Sequence, residues 1–555
     1  MRSDLVEKKW VVRHDCRGMT TNEIIDTILQ DREVENINTL LNPNEDCLIP
    51  FESMKNIDKA AKIISKNLNN DGSFFVHFDT DTDGVSAGSI AVRWLKQHTD
   101  RVYYGINQGK EHGVSKLDLS LLNGIDVLWI VDSIETSIFP YEKILKAGVK
   151  HIIITDHHLV SRSLQKQMER TCAITLVSSA VDYPNPALSG SATTWKLCAY
   201  MDWIELDDYS DELVDLATCG LIADMVDIGA DSLENRYICS KGFSNPMNPA
   251  LKKINGSYEF NSQAVSFGIA PLINAANRLS ENEKAMELFL SDDSKEISKL
   301  VNDLKSCKEY QNVEVTDLMP ILEKQAEDQM DKKVMFFFVE TNAEVKGLIG
   351  NKLLEKYQRP VIVLSTRIDV DAETGELSKH EYFGSARAVG VSNFKEYMDN
   401  TGLVNTGGHE NACGVWFNAE VLDDFRNVIE DALKDVEFVQ ETTVDIQIDQ
   451  DQITDDLIKK IKMLNKISGQ GWPAISVMVS GITDFEVGQM SGGKHLKLIA
   501  DNGKLLFIKW NFNSDWDQFD GTVSAIGSLD SGFFGRNYYR QLIMNDWKVD
   551  NLKDL

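Results

Sequence analysis

No two of the eight cysteines are spaced as C-x-x-C; they stand scattered at 16, 47, 172, 198, 219, 239, 307 and 413. That pattern argues against cysteine-held zinc and for reduced thiols in a cytosolic protein. No run approaches the ~18 apolar residues of a membrane span. The opening segment "MRSDLVEKKWVVRHDC" has no apolar stretch of signal-peptide length. Low-complexity tracts and internal repeats are absent as well. Basic residues are short: 57 Lys and Arg face 86 Asp and Glu, for a formal charge of −29. A broad basic surface that coats duplex DNA is therefore not expected. A local basic groove stays open, as does an acidic site whose sign is reversed by bound divalent cations.

What is present is enough chain for three or four domains, with 555 residues, 43% of them hydrophobic and 26% charged. Residues 1–55 read as a mostly helical lead-in, because "MTTNEIIDTILQ" carries capping residues and an Ile/Leu stripe. Residues 56–255 alternate short apolar runs ("SFFVHF", "DVLWIVD", "HIIITDHH") with helical patterns such as "GVSAGSIAVRWLKQH". That alternation predicts βαβ units and a parallel sheet. Residues 256–330 carry long-period apolar positions and predict a helical connector. Residues 331–437 return to α/β alternation, and 438–555 read as short strands separated by Gly, Asn and Asp turns.

The chemistry concentrates where strands end. "HFDTDTDG" sets His77, Asp79, Asp81 and Asp83 at alternate positions straight after an apolar run. "VLWIVDS" ends on Asp132, "HIIITDHHL" on Asp156, His157 and His158, and "GLIADMVD" offers Asp224 from a helix end. In parallel sheets the ligand crevice lies at the strands' carboxyl ends. Carboxylates crowded together raise one another's pKa, so a positive group is expected among them. Carboxylates with neutral imidazoles suit Mn²⁺ or Mg²⁺, and two such ions can clamp the oxygens of a phosphodiester. Two plainer readings compete: a solvated acidic turn, and a calcium loop of the EF-hand type. The calcium loop would need Glu at its twelfth position, where this sequence has Ile90.

Taken in order, these segments resemble the DHH phosphoesterases, and within them the RecJ-type single-strand-specific exonucleases. The likeness runs through "HFDTDTDG", "VDS", "TDHH", "GLIADMVDI" and "SFGIAPLINAANRLS". It continues through "GLIGNKLLEKYQRPVIVL", "GSAR" and "GGHENACGVWF". "DHH" alone is a weak tripeptide; the ordered set is specific. The resemblance implies an α/β fold with a parallel-sheet metal domain over 56–255. A long helix would join it to a smaller DHH-associated (DHHA1-like) α/β domain over 331–437 that closes over substrate. An OB-like β-barrel would follow over 438–555.

The resemblance also implies roles. One metal would take His77, Asp81 and Asp132. The other would take Asp83, Asp132 as bridge, His157 and Asp224. Asp79 and Asp156 would orient the histidines or serve as alternative ligands, and His158 would contact the scissile phosphate or assist the leaving oxygen. His158, Asp132 and Asp156 are thus the expected catalytic groups. Arg278, Ser385, Arg387, Gly407, Gly408 and His409 would hold phosphate. On the barrel, Trp472, His495, Lys497, Lys509, Trp510 and Phe512 would meet single strands by stacking and charge. Some positions depart from the family pattern. Asp132-Ser133-Ile134 replaces Asp-Asn-Gly, "EHGVS" replaces Gly-Tyr-Gly-Leu, and Asn277 replaces a common Gly.

The function implied is a 5′→3′ exonuclease on single-stranded DNA using two divalent ions, Mn²⁺ or Mg²⁺, in repair, recombination or replication. Alternatives are a phosphodiesterase on short oligoribonucleotides or cyclic dinucleotides, and a non-catalytic replication scaffold. A single-strand-binding protein or helicase is the partner to look for. The expected setting is a monomer in the cytoplasm, or in the host cytoplasm if the source is viral, with no membrane involved.

Overall fold

The computed structural model describes residues 6–109, 111–341, 345–370, 377–491, 494–510, 522–534 and 536–550. In chain order its first strands are β1 Val6–Asp15, β2 Phe74–Phe78, β3 Val102–Ile106, β4 Val127–Val131, β5 His151–Asp156 and β6 Ile174–Ser178. Next come β7 Met335–Phe338, β8 Val361–Val370, β9 Leu377–Arg387, β10 Asn405–His409, β11 Ala412–Asn418 and β12 Phe438–Ile448. Last are β13 Val477–Ile482, β14 Glu486–Met490, β15 His495–Ala500, β16 Leu505–Lys509, β17 Val523–Phe534 and β18 Asn537–Val549. They form three sheets. The chain divides into two compact units, Val12–Lys305 with Val444–Leu555, and Met1–Val11 with Ser306–Thr443.

The first sheet accounts for the apolar runs. β2 ("FFVHF") and β4 ("VLWIV") are buried at every position, as strands covered on both faces must be. All five strands pair in parallel, in the order β3-β2-β4-β5-β6. The chain leaves β2 for β3 on one side, then returns to β4 on the other. That reversal is a topological switch point, where the loops part beyond the strand ends and leave a crevice. The helix Thr82–His98 starts there, with Asp81 as its N-cap accepting from the Gly84 amide. It is buried at almost every position to Leu95.

One expectation about the N-terminal end needs revising. The lead-in is not mainly helical from its start: Val6–Asp15 is a strand, and the capped helix follows at Thr21–Asp31. The helix itself carries the reciprocal Thr20–Glu23 cap and buries Ile24, Ile25, Ile28 and Leu29. The strand was hidden because "EKK" interrupts its apolar alternation, while β12 supplies the partner from more than 400 residues away. β1 and the C-terminal strands form one mixed sheet in the order β1-β12-β13-β17-β18-β16-β15-β14. A single apolar core joins this sheet to the parallel one, running from Phe74, Val76 and Trp129 to Val477, Leu498 and Phe507.

In the other unit the sheet order is β10-β11-β9-β8-β7, with only β7 and β8 parallel. The helix Ser294–Glu327 is 34 residues long. Among the described residues no helix is long and apolar enough to cross a membrane.

Candidate metal centre

At the switch point the turn after β2 brings three carboxylates into a buried space. Asp79 and Asp83 are almost inaccessible, as are Asp132 after β4 and Asp156 at the end of β5. Each carboxylate is held differently. Asp83 accepts from the Gly190 amide at 2.7 Å and the Ser191 amide at 3.0 Å, at the N-terminus of the helix Gly190–Glu205, where the helix dipole favours an anion. Asp132 adopts φ +54°, a left-handed conformation rare outside glycine, with its amide tied to the Thr155 carbonyl at 2.8 Å. Asp156 accepts from the amides of His157 and His158 through one oxygen and of Ile134 through the other. Asp224 caps the end of the helix Val214–Ala223.

His157 sits amid these oxygens. Its Nε2 is 3.3 Å from Asp132, 3.6 Å from Asp224 and 3.9 Å from Asp83. Groups that share a cation at about 2.1 Å lie about 3–4 Å apart; the ligand atoms of Asp83, His157 and Asp224 lie within 4.8 Å of one another, and so do those of Asp132, His157 and His158. Asp79, Asp81 and Asp132 also converge, each offering an oxygen within 4.8 Å of the others. The set that the resemblance names for this second position shares Asp81 and Asp132 and adds His77.

The electrostatics favour either protons or a cation among these acids. Burial, reinforced by Asp83 and Asp81, drives Asp132 well above the ordinary carboxylate range. Burial with Asp79 and Asp83 lifts Asp81 to about 6, and burial with Asp83 and Asp81 lifts Asp224 to about 8. Burial holds His77 down to about 4, so its ring is neutral. His77 Nε2 donates to the Gly113 carbonyl at 3.2 Å, which leaves Nδ1 as the lone-pair nitrogen. Both His77 Nδ1 and Asp132 Oδ1 are buried without a hydrogen-bond partner among the described residues. Orphaned buried acceptors are costly, and a divalent ion at each would satisfy them, although His77 is in none of the converging ligand groups among the described residues. The hard-oxygen and imidazole donor set fits Mn²⁺ or Mg²⁺.

Beside the acids stands His158. Its Nδ1 donates to Asp156 at 2.9 Å, and that bond raises its pKa to about 9. Burial would push Asp156 upward, but the hydrogen bonds and charge of His158 outweigh it and hold that carboxyl low. The ring is half-exposed, with Nε2 on the edge away from Asp156, and it can donate a hydrogen bond to an anion while staying cationic at neutral pH.

The phosphate-binding residues expected in the second α/β unit fall into register. Gly407, Gly414 and Ser385 align across β10, β11 and β9, and His409, Ala412 and Arg387 align two rows away. Arg387 donates to Asn351, to the Ser385 hydroxyl and to the Ala386 carbonyl, all neutral. These bonds fix the guanidinium without cancelling its charge. Gly408 has φ +116°, so glycine is needed there. Arg278 ends the helix Ala270–Arg278 and is half-buried, one nitrogen reaching the Asn274 carbonyl at 3.4 Å. That helix meets the acidic turn: Thr82 donates to Asn274, and Asn277 donates to Thr80.

The C-terminal residues separate. Trp472 is core, not a stacking platform: it is 1% exposed, its indole donates to the Leu464 carbonyl, and Arg32 and Arg236 cover its ring. Lys509 pairs with buried Leu496 on the inward face of β16 and donates to the Asn545 carbonyl. His495, Lys497 and Trp510 share the other face, with the His495 and Trp510 rings 4.9 Å apart. Phe512 lies outside the described residues.

Sequence reading missed the small residues that make room. A Cβ on Gly190 would lie 2.4 Å from Asp132 Oδ1, and one on Gly220 would lie 1.9 Å from Asp83 Oδ1. Nothing local in "SGSAT" or "TCGLI" signals that role, because the clash is between segments far apart in sequence.

Residues 73–223, which carry the parallel sheet and the acids and imidazoles gathered at its switch point, match the sequence model of the DHH family, N-terminal domain. The longer sequence comparisons are with proteins named as single-strand-DNA-specific exonucleases. The chain is 26% identical to YorK, an SPbeta prophage-derived protein of Bacillus subtilis (strain 168) named as a single-strand DNA-specific exonuclease; the match covers 92% of each. It is 27% identical to the single-stranded-DNA-specific exonuclease RecJ of the same organism, over 91% of this chain and 65% of that protein. The fold matches the crystal structure of RecJ from Thermus thermophilus in complex with Mn²⁺, with a TM-score of 0.77 and 21% identity, over 98% of this chain and 80% of that one.

Proposed function

We propose that this chain is a metal-dependent 5′→3′ exonuclease that hydrolyses single-stranded DNA to mononucleotides in repair, recombination or replication. The observation that carries the reading is the gathering of acids about His157, whose ring shares one cluster with Asp83 and Asp224 and another with Asp132 and His158, beside the orphaned Asp132 Oδ1 and His77 Nδ1. His77, Asp81 and Asp132 would hold one ion, with Asp79 as an alternative ligand. Asp83, Asp132, His157 and Asp224 would hold the other. When bound, two divalent ions, Mn²⁺ or Mg²⁺, supply an activated water and neutralise charge on the phosphodiester. The names of the RecJ relatives, and the Mn²⁺ complex among them, support the substrate and the metal.

The chain's own residues do the rest. Asp156 fixes His158 so that its free Nε2–H meets the scissile phosphate or the leaving oxygen. The Asp132 backbone amide donates a hydrogen bond to the Thr155 carbonyl, which would help to hold a shared ligand in place. Arg387, Ser385, Gly407, Gly408 and His409 would grip a phosphate, with Arg278 as a further contact. His495, Lys497 and Trp510 would meet the strand on the C-terminal sheet. The expected setting is a monomer in the cytoplasm, or in a host's, receiving single strands from a helicase or a binding protein.

The test is release of nucleotides from a single-stranded DNA labelled at either end, with Mn²⁺, Mg²⁺ or chelator, and with duplex and RNA controls. Metal-dependent release from the 5′ end of single strands supports the reading. Asp132→Ala and His157→Ala should abolish it with melting temperature in chelator preserved, and full activity in either removes the two-metal assignment. Cleavage confined to dinucleotides would point instead to a small-substrate phosphodiesterase.

A further inference from the structure

Two of the departures from the family pattern, Ser133 and His112, are 21 residues apart in sequence yet meet at one atom. Asp79 Oδ1 accepts from the Ser133 hydroxyl at 3.2 Å and from His112 Nδ1 at 3.1 Å. The same Ser133 oxygen accepts from the Gly113 amide at 2.7 Å. The Gly113 carbonyl, in turn, accepts from His77 Nε2 at 3.2 Å and from the Asn107 side chain at 2.8 Å. The result is a closed circuit: Asp79 to Ser133, Ser133 to Gly113, Gly113 to His77, and His77 back to Asp79 through the strand-end turn.

Residue 113 has no freedom in this circuit. Its φ is +83°, and a Cβ there would lie 2.5 Å from Glu135 Oε1. Glu135 anchors the next residue by accepting from the Val114 amide at 2.7 Å. The loop is thus pinned on both sides of Gly113, and its carbonyl is aimed at His77. A ring whose Nε2 must donate has only Nδ1 to offer as a ligand, and that nitrogen is buried with no hydrogen-bond partner among the described residues.

We propose that Ser133 and His112 are a coupled pair of positioning residues that fix the tautomer and orientation of His77 toward a divalent cation. The inference rests on the metal reading above and extends it. The two substitutions form one unit: Ser133 is short enough to bridge Asp79 and the Gly113 amide, and His112 supplies the second donor to the same Asp79 oxygen. Neither residue is among the groups that would hold the cation. They act through Asp79 and the Gly113 carbonyl.

The experiment is Mn²⁺ titration of the full chain, read by the paramagnetic resonance signal of free Mn²⁺, in the absence of DNA. The proteins are wild type, Ser133→Ala, His112→Ala and the double variant. Outer partners of metal-bound histidines typically change affinity about 10- to 100-fold. Ser133→Ala should therefore weaken one of two Mn²⁺ sites by about tenfold or more, and His112→Ala should weaken the same site. The double variant should be no worse than the weaker single, because both act through one circuit. Melting in chelator checks folding. Should Ser133→Ala unfold the chain, Ser133→Thr, which keeps the hydroxyl, must retain wild-type affinity. Unchanged Mn²⁺ binding in both singles, or additive losses in the double, overturns the coupling. A wild type that binds two Mn²⁺ but cleaves no DNA overturns the exonuclease reading alone, and a wild type that binds none overturns both.

Discussion

Gly190→Ala adds one methyl group to a residue that touches neither metal nor substrate, and its consequences follow from distances. Gly190 opens the helix Gly190–Glu205, and its amide donates to Asp83 at 2.7 Å. An added Cβ would stand 2.4 Å from Asp132 Oδ1 and 2.6 Å from Asp132 Cβ and Cγ. Ordinary carbon contacts are about 3.5–4 Å, so the carboxylate or the helix must retreat by about 1 Å. Asp132 is not a flexible chain end: its amide is bonded to Thr155 and its φ is +54°. The helix is equally fixed, because moving it takes the Gly190 and Ser191 amides away from Asp83. Overpacking of this kind costs about 1–3 kcal/mol, and a displacement of about 1 Å at a reacting centre costs about 10²-fold in rate. Gly190→Ala should thus weaken Mn²⁺ binding and cut nucleotide release about 100-fold while lowering the melting temperature only modestly. Gly268→Ala is the control, since nothing lies within 4 Å of a Cβ there. Wild-type Mn²⁺ affinity and rate in Gly190→Ala would refute the argument that this glycine exists to make room for Asp132.

Two further perturbations separate charge from packing. In chelator, Asp224 carries a folded-state pKa near 8 against the usual 3.8, and His158 one near 9 against 6.5. Both are raised, so the stability each confers is complete below its unfolded value and is lost as pH climbs through 8 and 9; the chelated protein should melt lower at pH 9 than at pH 6, and Asp224→Asn should flatten that slope, with an unchanged slope counting against the buried-acid account. Trp472→Ala should cost about 3–5 kcal/mol and leave the folded protein's affinity for single strands intact, whereas lost affinity at unchanged melting temperature would return Trp472 to the binding surface.

Much of the site was legible because the acids obey a local rule. Each follows an uninterrupted apolar run, and such runs in a parallel sheet must end at one edge. The pattern thus gathers Asp79–Asp83, Asp132 and Asp156–His158 before any distance is known. Asp224 was visible as a carboxylate at the end of an apolar helix. What stayed hidden depends on contacts between distant segments. Gly190 and Gly220 look like ordinary helix residues until two carboxylates are placed against them. Ser133 and His112 look like losses from the family pattern until both are seen to reach Asp79. Trp472 misled because the resemblance implies a strand-binding barrel without saying which of its aromatics are buried. Its burial is set by Arg32 and Arg236, hundreds of residues upstream. β1 was missed for the same reason, since an edge strand is defined by its partner.

The remaining tension is that a chain with a formal charge of −29 is assigned a polyanionic substrate. The site makes it sharper, because Asp79, Asp81, Asp83, Asp132, Asp156 and Asp224 cluster where a phosphodiester would have to enter. Without metal, burial keeps Asp224 protonated at neutral pH and pushes Asp132 the same way; two divalent ions would displace those protons and, with the His158 imidazolium, offset five of the six carboxylate charges. The metal-loaded site should thus repel a phosphate less than the empty one, while Arg387 in the other unit has no acid among its hydrogen-bond partners in the described residues. Metal binding should therefore precede productive DNA binding rather than accompany it. With a nuclease-resistant phosphorothioate single strand, fluorescence anisotropy should give an affinity about tenfold or more tighter in Mn²⁺ than in chelator. His157→Ala should shrink that difference without changing the chelator value. Equal affinities in Mn²⁺ and chelator would mean that the strand is held wholly away from the acids, on surfaces such as the one carrying His495, Lys497 and Trp510, and that the metals act only after it has bound.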